Sequence, residues 1–180
     1  MVAAQYPSYV FQTVHDIDYE ELWRRGVRVL CFDIENTLGL IGCTDFDADI
    51  RKLFDELHAF GYRIILATNS LRDFSELAVE LKVDVMQPHP GYHWWQRKSP
   101  RKPQGDFFYT LLCLADCDMS PNRADMIGDK LIADVSGAQA CGMVGVLINP
   151  IGPDLDIERF MRLRPREQRL LDQLGISRCT

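Results

Sequence analysis

Short apolar runs alternate with segments of helical period along most of the 180-residue chain. The run Val29-Leu30-Cys31-Phe32 is bounded by turn-formers and reads as a buried parallel strand spanning 27–32. Similar runs predict strands over 63–68, 84–86, 124–127 and 143–148. Between them lie helical signals. Asp18 with Glu21 three residues on resembles a capping box, and that helix stops at Gly26. Asp47 caps a helix with Ile50, Leu53, Phe54 and Leu57 on one face, ending near Gly61. Further helices are expected over 73–81, 106–115 and 131–141. Strand–helix alternation of this kind predicts an α/β three-layer sandwich with a mainly parallel five-stranded sheet. The chain after Pro150 reads as helical, broken at Pro165, whose ring suits the first turn of a second helix.

A chain of this length builds one sizeable core, so a single domain over 1–180 is expected, with its core at about 27–148 and a helical, basic tail at 149–180. Apolar residues make up 47% and charged residues 26%, an ordinary soluble composition. The six cysteines are scattered without a Cys-x-x-Cys pair and read as reduced thiols; Cys113 and Cys117 lack partner ligands for a metal. No stretch approaches the roughly 20 apolar residues of a membrane span. The first residues lack a basic region followed by an apolar one. The expected location is cytoplasmic.

The net charge of −6 is unevenly spread. The irregular insert 87–105 carries Arg97, Lys98, Arg101 and Lys102 and no acid, and residues 159–169 carry five arginines against Glu167. An acidic body with two basic patches points to a specific anionic partner and away from general nucleic-acid binding.

Four groups with chemical potential fall at strand ends or helix starts. Asp33, Glu35 and Thr37 follow the first strand, and Thr68-Asn69-Ser70 follow the second. Lys102 precedes Pro103 and a helix, with Lys98 as its competitor. Gly128-Asp129 and Asp134 follow the fourth strand. In a parallel sheet these ends share one edge, so residues a hundred positions apart converge. Together they can perform phosphoryl transfer. Asp33 and Asp129 can hold Mg²⁺, and Asp33 can attack phosphorus to form an aspartyl-phosphate. Thr68 and the amides after it can bind the phosphoryl oxygens, Lys102 can neutralise charge, and Glu35 can serve as acid and base. Asn69 can cap the next helix and can orient Asp33, two compatible roles.

The constellation Asp33-Ile-Glu35-Asn-Thr37, Thr68, Lys102 and Gly128-Asp129-Lys-Leu-Ile-Ala-Asp134 resembles the four motifs of the haloacid dehalogenase-like superfamily of phosphatases. The resemblance runs from about residue 27 to 148. It implies a Rossmann-like sheet, a Mg²⁺ cofactor, and a phosphomonoesterase acting through an aspartyl-phosphate. In these terms Asp33, Glu35, Thr68 and Lys102 are catalytic, Asn69, Ser70 and Thr37 bind substrate, and Asp33, Glu35, Asp129 and Asp134 hold the metal. A narrower resemblance, carried by Pro7…Tyr9-Val10, the segment 18–26, Arg101-Lys102-Pro103 and the arginine-rich tail, points to the YqeG-type branch. That branch includes phosphatidylglycerophosphate phosphatases, which act on a lipid headgroup at a membrane surface. The insert 88–100 is longer than that branch leads one to expect.

Three features stay open on the sequence. The acid/base position of the family is normally Asp, and Glu35 adds a methylene; misplacing a catalytic group by about 1 Å can cost roughly 10²-fold. Glu35 therefore serves a bulky substrate, leaves a slow enzyme, or marks a phospho-binding module. Tyr92, His93, Trp94 and Trp95 either pack on their own body or anchor at an interface. His89 and His93 lack other ligands for a metal. The tail arginines, accompanied by Phe160, Met161, Leu163, Leu170, Leu171 and Leu174, form either a solvated face or a basic amphipathic helix in peripheral contact with an anionic membrane. Too few residues separate the motifs to hold a full cap domain, so the site is expected to be open. An open site favours phosphatidylglycerophosphate or another large or lipid-borne phosphate; the alternatives are a soluble sugar-phosphate or nucleotide phosphatase, and a catalytically weak binding module.

Overall fold

The computed structural model describes residues 7–88, 99–117, 120–156 and 162–179. The expectations for the histidine- and tryptophan-bearing insert, Lys98 included, and for Phe160 and Met161 concern residues outside those described.

Six strands form one all-parallel sheet: β1 (Tyr9–Phe11), β2 (Val29–Phe32), β3 (Arg63–Ala67), β4 (Asp84–Met86), β5 (Ala124–Gly128) and β6 (Val144–Ile148), in the spatial order β1-β6-β5-β2-β3-β4. The expected five are all present, and β1 makes a sixth. It is a three-residue edge strand that pairs with β6, Val10 opposite Leu147. It is half-buried throughout and too short to show an alternation.

Alternation along the central strands assigns the two faces. Leu30 and Phe32 of β2 pack with Phe54, Leu57 and Leu77, which come from α2 (Ala48–Phe60) and α3 (Ser75–Leu81); Leu22 of α1 (Tyr19–Arg24) joins them. Val29 and Cys31 pack with Phe107, Phe108 and Leu111 of α4 (Gly105–Leu114). Each fully buried Phe side chain contributes about 2–3 kcal/mol of transfer free energy. Asp47 caps α2 by accepting from the Ile50 amide (2.9 Å), and Gly61 ends it at φ 108°, a left-handed conformation that a side chain would strain.

The predicted helix 131–141 is only partly α. Leu131–Ser136 winds as a π-helical stretch that runs into the short α5 (Gly137–Ala140). Such wider turns are frequent at functional sites. The tail supplies α6 (Leu163–Gln173), whose Leu171 joins Leu131, Val135 and Leu147 in a third apolar cluster. The segment 38–47 between β2 and α2 holds turns, bends and a single isolated bridge from Gly39 to Glu35, in keeping with a minimal cap.

One position breaks the pattern. Asp125 lies inside β5, fully buried, with no hydrogen-bond partner for either carboxylate oxygen. Burial pushes its carboxyl up to about 7, against the pull of Arg25.

The chain reverses its direction of travel across the sheet at β2: β3 and β4 are added on one side, β5 and β6 on the other. A crevice opens beyond the carboxyl ends of strands at such a switch point. Asp33 leaves β2 there, its amide bonded to the Ile127 carbonyl of β5 (2.9 Å), and Asp129 leaves β5 beside it.

Candidate active site

At this crevice the ammonium of Lys102 bridges two carboxylates, Asp33 Oδ1 and Asp134 Oδ1, each at 2.6 Å. All three groups are buried. Lys102 reaches the site from the loop before α4, and Asn69 fixes it there. The Asn69 side chain accepts from the Lys102 amide (2.8 Å) and donates to the Lys102 carbonyl (3.0 Å). Asn69 thus orients the lysine; among the described contacts it neither caps a helix nor touches Asp33.

Asp134 is held close by a glycine. A Cβ on Gly128 would lie 2.4 Å from the Asp134 carboxyl, so only glycine permits this approach. Asp134 Oδ2 accepts from the Lys130 amide (3.0 Å), leaving both of its oxygens engaged. Thr68 is buried beside Asp33, and its hydroxyl accepts from the Ser70 amide (3.0 Å). The Ser70 hydroxyl accepts from the Arg72 amide (3.4 Å) and does not line the small cavity around Asp33. Thr37 lies beneath Asp33, its hydroxyl 3.5 Å from Oδ2.

Burial works against the charges of Asp33, Asp129 and Lys102. It pushes Asp33 up to about 7, with Lys102 pulling the other way and Asp134 and Asp129 adding to the rise. Burial likewise raises Asp129, opposed by Arg164. Burial opposes the charge on Lys102, but Asp134 and Asp33 outweigh it and hold the ammonium above its ordinary value.

Asp33, Asp129 and Asp134 each offer a carboxylate oxygen, all within 4.8 Å of one another. Among the described residues Asp129 Oδ1 is buried without a hydrogen-bond partner, and Asp33 Oδ2 has only the long contact to Thr37. Hard oxygen donors with unspent lone pairs fit a hard cation such as Mg²⁺. Asp33 and Asp129 carry the open positions, while Asp134 spends its oxygens on Lys102 and the Lys130 amide. Glu35, expected also as a metal ligand, stands outside this trio. Its carboxylate pairs with Arg72 and receives the Gly42 amide at 3.4 Å.

Two cavities meet here. A small one of about 40 Å³ holds Asp33, Thr68, Asp134 and Lys102. It adjoins a cavity of about 450 Å³ through shared walls at Glu35, Asn69, Lys102, Lys130 and Ala133. The larger one adds Pro103, Ile132, Leu155 and Leu163, with Asp154, Arg164 and Glu167.

The tail differs most from expectation. Arg164, in the first turn of α6, turns inward instead of lining a solvated or lipid-facing surface. Its guanidinium pairs with Asp129 Oδ2, donates to the Asp129 carbonyl (2.6 Å), and meets both oxygens of Asp154 at 3.0 Å. Arg178 donates to the same Asp129 carbonyl (3.0 Å) and to that of Ile148 (2.7 Å). Glu167 is buried and accepts from the Ile132 amide (3.0 Å). Neither Arg72 nor Arg164 carries a local sequence signal for these roles. The nearest hint is Arg164 three residues before Glu167, a helical pair spacing. Arg162, Arg166 and Arg169 remain exposed.

Residues 100–150, which contain Lys102, Asp129 and Asp134, match the HAD-hydrolase-like family model. The chain is 45% identical over 47 residues to a phospholysine phosphohistidine inorganic pyrophosphate phosphatase of Danio rerio. It is 49% identical over 47 residues to haloacid dehalogenase-like hydrolase domain-containing protein 2 of Mus musculus. These matches cover 26% of this chain and 17% of each relative, so the matched part spans about a sixth of the curated relatives' length. An uncharacterized protein from Listeria monocytogenes serotype 4b shares the fold at a TM-score of 0.54 and 12% identity, over 77% of this chain and 99% of that one.

Proposed function

We propose that this chain, haloacid dehalogenase-like in its fold and its ordered motifs, is a Mg²⁺-dependent phosphomonoesterase that works through an aspartyl-phosphate on Asp33. The observation that carries this reading is the buried Lys102 bridging Asp33 and Asp134, with Asp129 and its open oxygen alongside. A buried lysine between two carboxylates carries a desolvation cost that its ion pairs do not fully offset. Here it faces the point where phosphoryl charge would develop.

In this reading Asp33 Oδ attacks phosphorus, and a P–O bond to Asp33 forms as the P–O bond to the leaving alcohol breaks. Glu35 takes up a proton from solvent at the cavity mouth and passes it to the departing oxygen. Glu35 then takes a proton from water, which attacks the acyl-phosphate and releases inorganic phosphate. Lys102 balances the charge of Asp33 and of the phosphoryl oxygens, and the Thr68 hydroxyl orients them. Asp33 and Asp129 would hold Mg²⁺, which supplies Lewis-acid neutralisation of the phosphoryl charge. Arg72 keeps Glu35 at the mouth shared by the two cavities.

The larger cavity favours an organic leaving group over inorganic pyrophosphate, because its walls include Pro103, Ile132, Ala133, Leu155 and Leu163. A large or lipid-borne phosphate monoester such as phosphatidylglycerophosphate fits these walls. The exposed Arg162, Arg166 and Arg169 would add attraction to an anionic membrane, at about 1 kcal/mol each. A cytoplasmic location at the inner membrane face follows from that substrate. Among the described residues no helix is long and apolar enough to cross a membrane.

The test is hydrolysis of p-nitrophenyl phosphate and of phosphatidylglycerophosphate in mixed micelles, with and without Mg²⁺. Wild type turns over both with Mg²⁺, and Asp33→Asn loses at least roughly 10³-fold. Absence of turnover by wild type in which Mg²⁺ is bound contradicts the enzyme reading and leaves the binding module. Turnover of the small ester with none of the lipid contradicts only the lipid assignment.

A further inference from the structure

The cavity of about 450 Å³ beside Lys102 takes one wall from the tail: Asp154, Leu155, Leu163, Arg164 and Glu167 line it. Ile132 and Ala133 of the π-helical stretch, with Pro103 before α4, complete the apolar part of the lining. Among the described residues, the segment 38–47 contributes nothing to this space. The tail wall is firmly held. Leu171 is fully buried against Leu131, Val135 and Leu147, and Glu167 accepts from the Ile132 amide (3.0 Å).

The polar groups of the lining are spent on one another or on the catalytic cluster. Both ends of the Asn69 amide are bonded to the Lys102 backbone. Both oxygens of Asp154 receive Arg164. Lys102, Arg164 and Glu35 are held in ion pairs, and Lys130 acts on the charge of Asp129. A site that reads a ligand's hydroxyl keeps a polar group for it; here a hydroxyl-rich ligand would have to break bonds already made. The aliphatic side chains are what remains. Leu155 is 47% exposed and Leu163 half-buried, so both still present hydrocarbon to this space.

We propose that the tail wall reads hydrocarbon: Leu155 and Leu163 are specificity-determining residues, and the substrate is the phosphate monoester of an aliphatic alcohol whose chain lies along them. The inference rests on the phosphomonoesterase reading and narrows it to one class of leaving group. Shared lining at Glu35, Asn69 and Lys102 joins this cavity to the small one at Asp33. A phosphoryl group at Asp33 therefore directs its ester oxygen to the mouth beside Glu35 and its first carbons into the larger cavity. Each methylene taken fully out of water is worth about fourfold in affinity, and about twofold on a wall that covers half of it.

The test uses the full chain and alkylphosphonates, which resemble the monoester and resist hydrolysis. Affinity is read by isothermal titration calorimetry with Mg²⁺ present, for ethyl-, butyl- and hexylphosphonate and for dihydroxybutylphosphonate. Wild type is expected to bind hexylphosphonate at least roughly tenfold more tightly than ethylphosphonate, and butylphosphonate more tightly than its dihydroxy analogue. Leu155→Asn and Leu163→Asn are each expected to reduce the hexyl-to-ethyl ratio by about threefold or more. Leu155 is not part of the buried core, so its variant serves where Leu163→Asn does not fold. A flat series in wild type, tighter binding of the dihydroxy analogue, a ratio unchanged in both variants, or no binding of any phosphonate would each overturn the proposal. Hydrolysis of p-nitrophenyl phosphate, measured alongside, separates this failure from that of the enzyme reading. A rising series without hydrolysis keeps the hydrocarbon wall and removes the esterase; hydrolysis with a flat series does the reverse.

Discussion

Two arginines reach carboxylates of the site from opposite sides, and their surroundings give them different work. Arg72 holds Glu35 at the rim, with 44% of the arginine side chain exposed. Arg164 holds Asp129 inside, where the carboxylate is wholly shielded. Water screens the first pair, so its worth to stability is about 0–1 kcal/mol and its value lies in where it puts Glu35. The second pair cannot be broken cheaply, because losing Arg164 would leave the charge of Asp129 buried, although Arg164 itself keeps Asp154 as a partner. The same chemical contact is thus a positioning device at one wall and a charge-balancing device at the other. Asp125 is the third case: a buried carboxyl with no hydrogen-bonding cation among the described residues.

The largest effect expected from this comparison is on the inner pair. Arg164→Ala in metal-free buffer should lower unfolding free energy by about 3–5 kcal/mol in urea denaturation. Excess Mg²⁺ should restore part of it, because a ligand that binds only the folded form adds stability by mass action. A loss under 1 kcal/mol would put Arg164 in the same class as Arg72.

The next effect is on Asp125. Its folded value of about 7 stands above the unfolded 3.8, so the folded state keeps a proton that the unfolded chain has lost. The stability this group contributes is full below pH 4 and is lost as pH rises toward 7. Between pH 5 and 8 wild type should lose about 3 kcal/mol relative to Asp125→Asn, read by denaturation at both pH values. Parallel profiles for the two proteins would mean that Asp125 is ionised at no cost in the fold.

The smallest effect on stability is at the rim. Arg72→Ala should change unfolding free energy by no more than about 1 kcal/mol, while slowing turnover of a phosphate ester with a poor leaving group by roughly tenfold or more through misplacement of Glu35. An ester with a good leaving group needs less help from the acid and should suffer less in the step that forms the intermediate. Equal losses of stability in the Arg72 and Arg164 variants would erase the distinction between the two walls.

The five expected strands were legible because each is an apolar run between turn-formers, and Asp33, Thr68 and Asp129 because each ends one of them. Lys102 was legible from its place before Pro103 and α4; the side chain of Asn69 that clamps it was visible as a residue but not as a clamp. β1 escaped because three half-buried residues after Pro7 carry no period. Arg164, Asp154, Arg178 and Glu167 escaped for a different reason. They meet through charge across the fold, and an arginine-rich helix has the same local pattern whether its cations face water, lipid or acids. Asp125 did leave a trace, as a lone carboxyl in the run Ala124-Asp125-Met126-Ile127. Glu35 was singled out for its extra methylene, and Arg72, three residues past Asn69, is the group that takes up its longer reach.

The central claim is that Asp33 carries the phosphoryl group. In Glu35→Gln the base for the second step is gone, whereas p-nitrophenolate leaves in the first step without needing a proton. With Mg²⁺ present, rapid acid quench and peptide mass spectrometry of that variant should therefore show a stoichiometric burst of p-nitrophenolate with a phosphoryl adduct on Asp33. Continued wild-type turnover by Asp33→Asn, or an adduct on another residue, would contradict it.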